Sequence, residues 1–93
     1  MANLIVTGTI KGVSKLFAKG EFKKRDLIVT TDDQYPQVLS IEFVKEKEAE
    51  LDFVEVGEKV TVSCNVRGRE WSNTSGETKY FLSLQAWKME KLG

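Results

Sequence analysis

Read for the alternation of apolar and polar positions, the chain divides into segments of period two, one segment of helical character, and polar breaks. Leu4 to Lys11 alternates loosely around Ile5, Val6 and Ile10 and predicts a first strand, which Gly8 and Gly12 allow to bend and turn. Val13 to Glu21, with Ser14 and Gly20, reads as a connection. Phe22 to Thr31 predicts the second strand, with β-branched density at Ile28, Val29, Thr30 and Thr31. Asp32 to Pro36 carries two aspartates and the only proline, and reads as a turn. Gln37 to Val44 predicts the third strand, where Leu39, Ile41 and Phe43 alternate with Ser40 and Glu42. "VKEKEAELDFVEVG" then changes character: Glu, Lys, Ala and Leu favour helix, and a short helix is expected around Glu46 to Phe53, ended by Gly57. Val60 to Trp71 is the cleanest strand, with Val60, Val62, Cys64 and Val66 on one face and Thr61, Ser63, Asn65, Arg67, Arg69 and Trp71 on the other. Ser72 to Thr78 predicts a hairpin loop around Gly76. Tyr80 to Lys88 predicts the fifth strand, with Leu82, Leu84 and Ala86 facing one way and Phe81, Ser83, Gln85 and Trp87 the other.

Three strands, a helix and two strands is the order of an OB-fold. The expected class is therefore all-β with one short helix, a five-stranded, partly open Greek-key barrel formed by residues 1–93 as one domain. A small β-sandwich or SH3-like barrel is the rival, and the helix between the third and fourth strands favours the OB order.

Composition narrows the function more by exclusion than by assertion. There is no histidine, the commonest general base and metal ligand, and the single cysteine, Cys64, alternates with core valines. Neither a nucleotide-binding glycine motif nor a metal-ligand spacing is present, so no enzyme activity, metal or cofactor is expected. No apolar run is long enough for a membrane helix, and no secretory leader is evident. One cysteine suits a reducing, cytoplasmic setting. Asn73-Thr74-Ser75 matches a glycosylation sequon and reads as coincidence.

Formal net charge is zero, but its distribution is uneven. Residues 1–31 hold six bases against two acids, residues 32–58 two bases against nine acids, and residues 59–93 six bases against three acids. If the two ends meet in space, a positive patch can exist on a neutral protein.

The stretch "NVRGREWSNTSGETKYFLSLQAW" supplies the candidate chemistry. Arg67, Arg69 and Trp71 alternate onto the face opposite the core valines, where guanidinium forks suit phosphates and an indole suits a base. Phe81 shares the outer face of the next strand with Ser83 and Gln85, and Lys79 stands just before it. Trp87, near the end of the last strand, reads as a barrel plug first and a platform second. "FKKRD" adds Lys23 and Arg25 on one face of the second strand, beside a connection carrying Lys15 and Lys19, a plausible phosphate track. Tyr35, beside Pro36, is a further exposed aromatic candidate. The structural alternatives are cross-sheet ion pairs for the arginines, a solubilising edge for the lysines and turn packing for Tyr35.

"FKKRDLIVTTDDQYPQVLSIEF", the acidic helical segment, "VGEKVTVSCNVRGREW" and "YFLSLQAWKME" resemble a family of small bacterial and phage domains of unknown function, over roughly residues 4 to 90. That family is placed among OB-folds related to single-stranded DNA-binding proteins. The resemblance implies binding of single-stranded DNA, with RNA as an alternative, by a chain that can form a homo-dimer or tetramer. An OB-type interaction module without nucleic-acid binding is the second expectation. Replicative single-strand binders end in a disordered acidic tail; this sequence ends Lys91-Leu92-Gly93, so tail-borne recruitment is not expected.

Overall fold

The computed structural model describes residues 2–92. Six strands and one 3-10 helix follow in the order β1 (Ala2–Val13), β2 (Phe17–Lys19), β3 (Phe22–Thr31), β4 (Val38–Val44), the 3-10 helix (Lys45–Phe53), β5 (Lys59–Ser72) and β6 (Thr78–Leu92). The sheet runs β1-β5-β6-β4-β3-β2, and β1 also pairs with β3, which closes the five long strands into a ring. Among the described residues only the β4–β6 seam is parallel, with Ile41 beside Leu84 and Glu42 beside Gln85. This is the OB-fold arrangement, with β2 as an added short strand that forms a hairpin with the start of β3.

The ring closes because the apolar positions of successive strands fall in register. Val6 lies opposite Val62, Cys64 opposite Ala86, Leu27 opposite Ile41, and Ile10 opposite Val29. All of these side chains are buried, together with Phe43, Val60 and Leu51. Gly8 sits where β1 passes from one partner to the other, opposite both Val60 of β5 and Thr31 of β3.

The helical segment is 3-10 rather than α. Its inward residues recur every third position: Glu48 meets β3, Leu51 is 3% exposed in the core, and Val54 just beyond packs against that core. A 3.0-residue turn keeps such positions on one face, where a 3.6-residue turn would not. Leu51 covers the end of the barrel, the role expected of Trp87. Trp87 instead is the extra residue at a β-bulge, between Ala86 opposite Cys64 and Lys88 opposite Ser63, and stays 46% exposed outside the core.

Burial pushes the Cys64 thiol up from 9.0 to about 11. The folded value lies above the unfolded one, so this stabilisation is complete below pH 9 and is lost as the pH rises toward 11. The wild type is expected to lose about 2 to 3 kcal/mol more than Cys64→Ala over that interval, measured by urea unfolding at each pH. Parallel pH profiles for the two proteins would count against this.

Candidate nucleic-acid interface

Past the barrel, β5 and β6 continue as a two-stranded arm. Every residue from Arg67 to Ser72 and from Thr78 to Leu82 is exposed, on both faces. The arm gives the molecule extents of 51 × 38 × 22 Å and a radius of gyration of 14.6 Å, against about 12 Å for a compact chain of this length. Its tip is ordered by one side chain. Asn73 Oδ1 accepts from the Ser75 and Glu77 backbone amides and from Ser75 Oγ, each at 3.0 Å, while Gly76 takes the left-handed φ of 88° that the turn requires.

Register places the front face of the arm residue by residue. Asn65 lies opposite Gln85, Arg67 opposite Ser83, Arg69 opposite Phe81, and Trp71 opposite Lys79. These eight positions include three cations, two aromatics and no acid. The Arg69 guanidinium lies 5.3 Å from the Phe81 ring centroid and Lys79 Nζ lies 6.0 Å from the Trp71 ring. Such exposed cation–π pairs are worth about 0.5–1 kcal/mol each, enough to order the side chains and weak enough to yield to a ligand. Arg67 Nη1 donates to Gln85 Oε1 at 2.9 Å. Trp71 and Phe81 remain 47% and 49% exposed, so each ring has surface left for a base.

Ion pairing explains why this face stays positive on a neutral chain. The acidic middle segment is met by bases from both ends: Lys24 with Glu42, Arg25 with Glu48 and Asp52, Lys59 with Asp32, and Lys91 with Glu58. The hydrogen bond to Glu42 raises Lys24 above the ordinary lysine range. The basic ends therefore meet the acidic middle as well as each other, through the pairing of β1 with β5. Among the described residues, Lys15, Lys19, Lys23, Arg67, Arg69 and Lys79 make no salt bridge.

The other sequence candidates separate. Arg25 leaves the proposed track: it shares the inward face of β3 with Leu27 and Val29, and its side chain, 15% exposed, is held by Glu48 Oε1 at 2.8 Å and by Asp52. Lys23, on the same face but beyond the barrel, lines a cleft with Phe22, Lys45 and Glu46. Lys15 lies in the turn before β2, and Lys19 faces outward on β2. Tyr35 is 76% exposed in the β3–β4 turn. That turn is tied to β1 by the Asp32 amide donating to Thr7 O at 3.0 Å, and it is no part of the arm.

Two aromatics were not anticipated. Phe17 lies opposite Lys24 and Lys19 opposite Phe22, so Phe17, Lys19, Phe22 and Lys24 share one outer face, with the two phenyl rings 51% and 41% exposed. Lys24 lies opposite Val44, the next outward position of β4 is Glu42, and Glu42 lies beside Gln85 at the root of the arm, so this face runs on into the arm's front. The signal was present as two Phe-x-Lys pairs flanking Gly20, which adopts φ 61° at the turn. Among the described residues, no group of three or more His, Cys, Asp or Glu side chains is placed to hold a metal.

The fold has a counterpart among solved structures. The crystal structure of the mitochondrial single-stranded DNA binding protein Rim1 of S. cerevisiae is similar, with a TM-score of 0.79 over 98% of this chain and 94% of that one. Identity is only 14%, so the likeness is one of fold. No curated protein matches the sequence. Residues 5–90 match the family described as Domain of unknown function (DUF3127), and the chain belongs to that family.

Proposed function

We propose that this protein binds single-stranded nucleic acid, DNA in first place, with little sequence preference along the front of the arm. The observation that carries the reading is the acid-free face on which Arg67, Arg69 and Lys79 interleave with Trp71 and Phe81. Unpaired bases stack on such rings while the cations take the phosphates, whereas the faces of paired bases are out of reach. Lys19, Phe17 and Phe22 extend the track across β2 and β3, with Lys15 and Lys23 at its margin. The fold likeness to a single-stranded DNA binding protein supports the same reading. A dimer or tetramer would lengthen the track.

Tryptophan quenching is expected to show oligo-dT bound at least about tenfold more tightly than a matched duplex in low salt. Equal affinities would remove the stacking argument. An interaction module is the competing reading, supported by the 46% exposure of Trp87 on the outside of the barrel. It takes over if oligo-dT does not bind in low salt and Trp71→Ala changes the elution volume on a sizing column.

A further inference from the structure

The back of the arm differs from its front. Its rows are Gly68 opposite Leu82, Glu70 opposite Tyr80, and Ser72 opposite Thr78. Tyr80 and Leu82 are 77% and 73% exposed. Gly68 contributes no side chain, and a Cβ built there would meet only Phe81 O, at 4.0 Å. The result is a groove of about 430 Å³ lined by Gly68, Arg69, Glu70, Tyr80, Phe81 and Leu82. Gly68, Arg69, Phe81 and Leu82 also line the groove at the root of the front face, so the two are neighbours around one edge of the arm. Among the described residues Glu70 has no ion pair.

We propose that this groove takes one unpaired base bearing an exocyclic amino group, with Gly68 as its floor, Tyr80 and Leu82 as its apolar walls, and the Glu70 carboxylate accepting the amino hydrogens. The proposal rests on the single-strand reading and modifies it at one position. A flat apolar groove with a single carboxylate suits a neutral aromatic group that donates. Arg69, the one cation of the lining, is drawn to the front over the Phe81 ring at 5.3 Å, so phosphate stays on the cationic front. Cytosine, adenine and guanine carry such an amino group and thymine does not; a carboxylate accepting from cytosine N4 is an established pairing. The strand would then pass over the arm's edge, phosphates toward the front and one base turned behind.

The test compares oligo-dC and oligo-dT of equal length on the full chain. Wild type is expected to prefer oligo-dC by about tenfold, the scale of one charge-assisted hydrogen bond. Glu70→Ala is expected to abolish the preference by weakening dC while dT holds or tightens, since a repulsive charge is removed. Gly68→Val places a side chain on the groove floor, where a Cβ makes only an ordinary contact with Phe81 O at 4.0 Å, and is expected to erase the preference with the arm intact. A wild-type dC/dT ratio of one, or a preference that both variants keep, overturns the proposal and leaves the front-face reading standing. Failure of both oligomers to bind removes that reading and the groove proposal with it.

Discussion

Changing Arg67, Arg69 and Lys79 together to alanine is expected to weaken oligo-dT binding by roughly 100-fold or more at about 50 mM salt, with little effect on folding. Single-strand binding weakens with salt at a slope of about −0.7 per phosphate neutralised. Three cations from the arm, joined by one or two of Lys15, Lys19 and Lys23, give the wild type a slope of about −3 to −3.5. Removing the three should take about 2 units from that slope. All three residues are exposed and unpaired with acids, so the stability lost should not exceed the roughly 1–2 kcal/mol of the two cation–π pairs. Trp71→Ala should behave differently, costing about 1–3 kcal/mol of affinity at unchanged slope, because stacking releases no counterions. A triple variant with wild-type affinity and slope would show that the phosphates lie elsewhere.

Gly8→Ala is expected to destabilise the barrel by about 3 kcal/mol or more, a large share of the 5–15 kcal/mol typical of a small domain. A Cβ at this position would stand 2.2 Å from Thr30 O and 2.7 Å from Val29 Cγ1. The first contact is backbone, held in the pairing between β1 and β3, and cannot swing aside. Relief requires opening the seam that closes the ring. Urea unfolding measures the loss directly. Alkylation of Cys64, fully buried in the wild type, gives a second readout, and its rate should rise in proportion to the opened population. Gly12→Ala is the control, because nothing lies within 4 Å of its added Cβ. Equal midpoints for the two variants would mean that the seam is looser than described.

Much of this was legible in the pattern of residues, and what was not has identifiable causes. β3 runs Phe22–Thr31, as its β-branched density indicates, and the alternation of Leu39, Ile41 and Phe43 marks the inward face of β4. β2 escaped because three residues show no period. Trp87 was misread as a plug because it stands near the end of the last strand, although the alternation from Phe81 onward already faced it outward, where the bulge leaves it 46% exposed. Lys23 and Arg25 do share a face; that this face points inward follows from Leu27 and Val29, but the acids that receive Arg25 come from a helix 20 or more residues away. The arm was legible as a face but not as a projection. A strand alternates in the same way inside a barrel and beyond it, so Leu82 resembles a core residue in sequence while standing 73% exposed.

The two-sided arm has a kinetic consequence. With zero formal net charge, the chain exerts little long-range pull on a polyanion, and what attraction it has is transverse, turning from positive at Arg67, Arg69 and Lys79 to negative at Glu70 within the thickness of two strands. Capture of a strand then becomes a matter of rotational search: encounters on the wrong side are repelled and must reorient before they commit. Salt, which screens both the attraction and the repulsion, would leave the association rate comparatively flat and act chiefly by shortening the residence time.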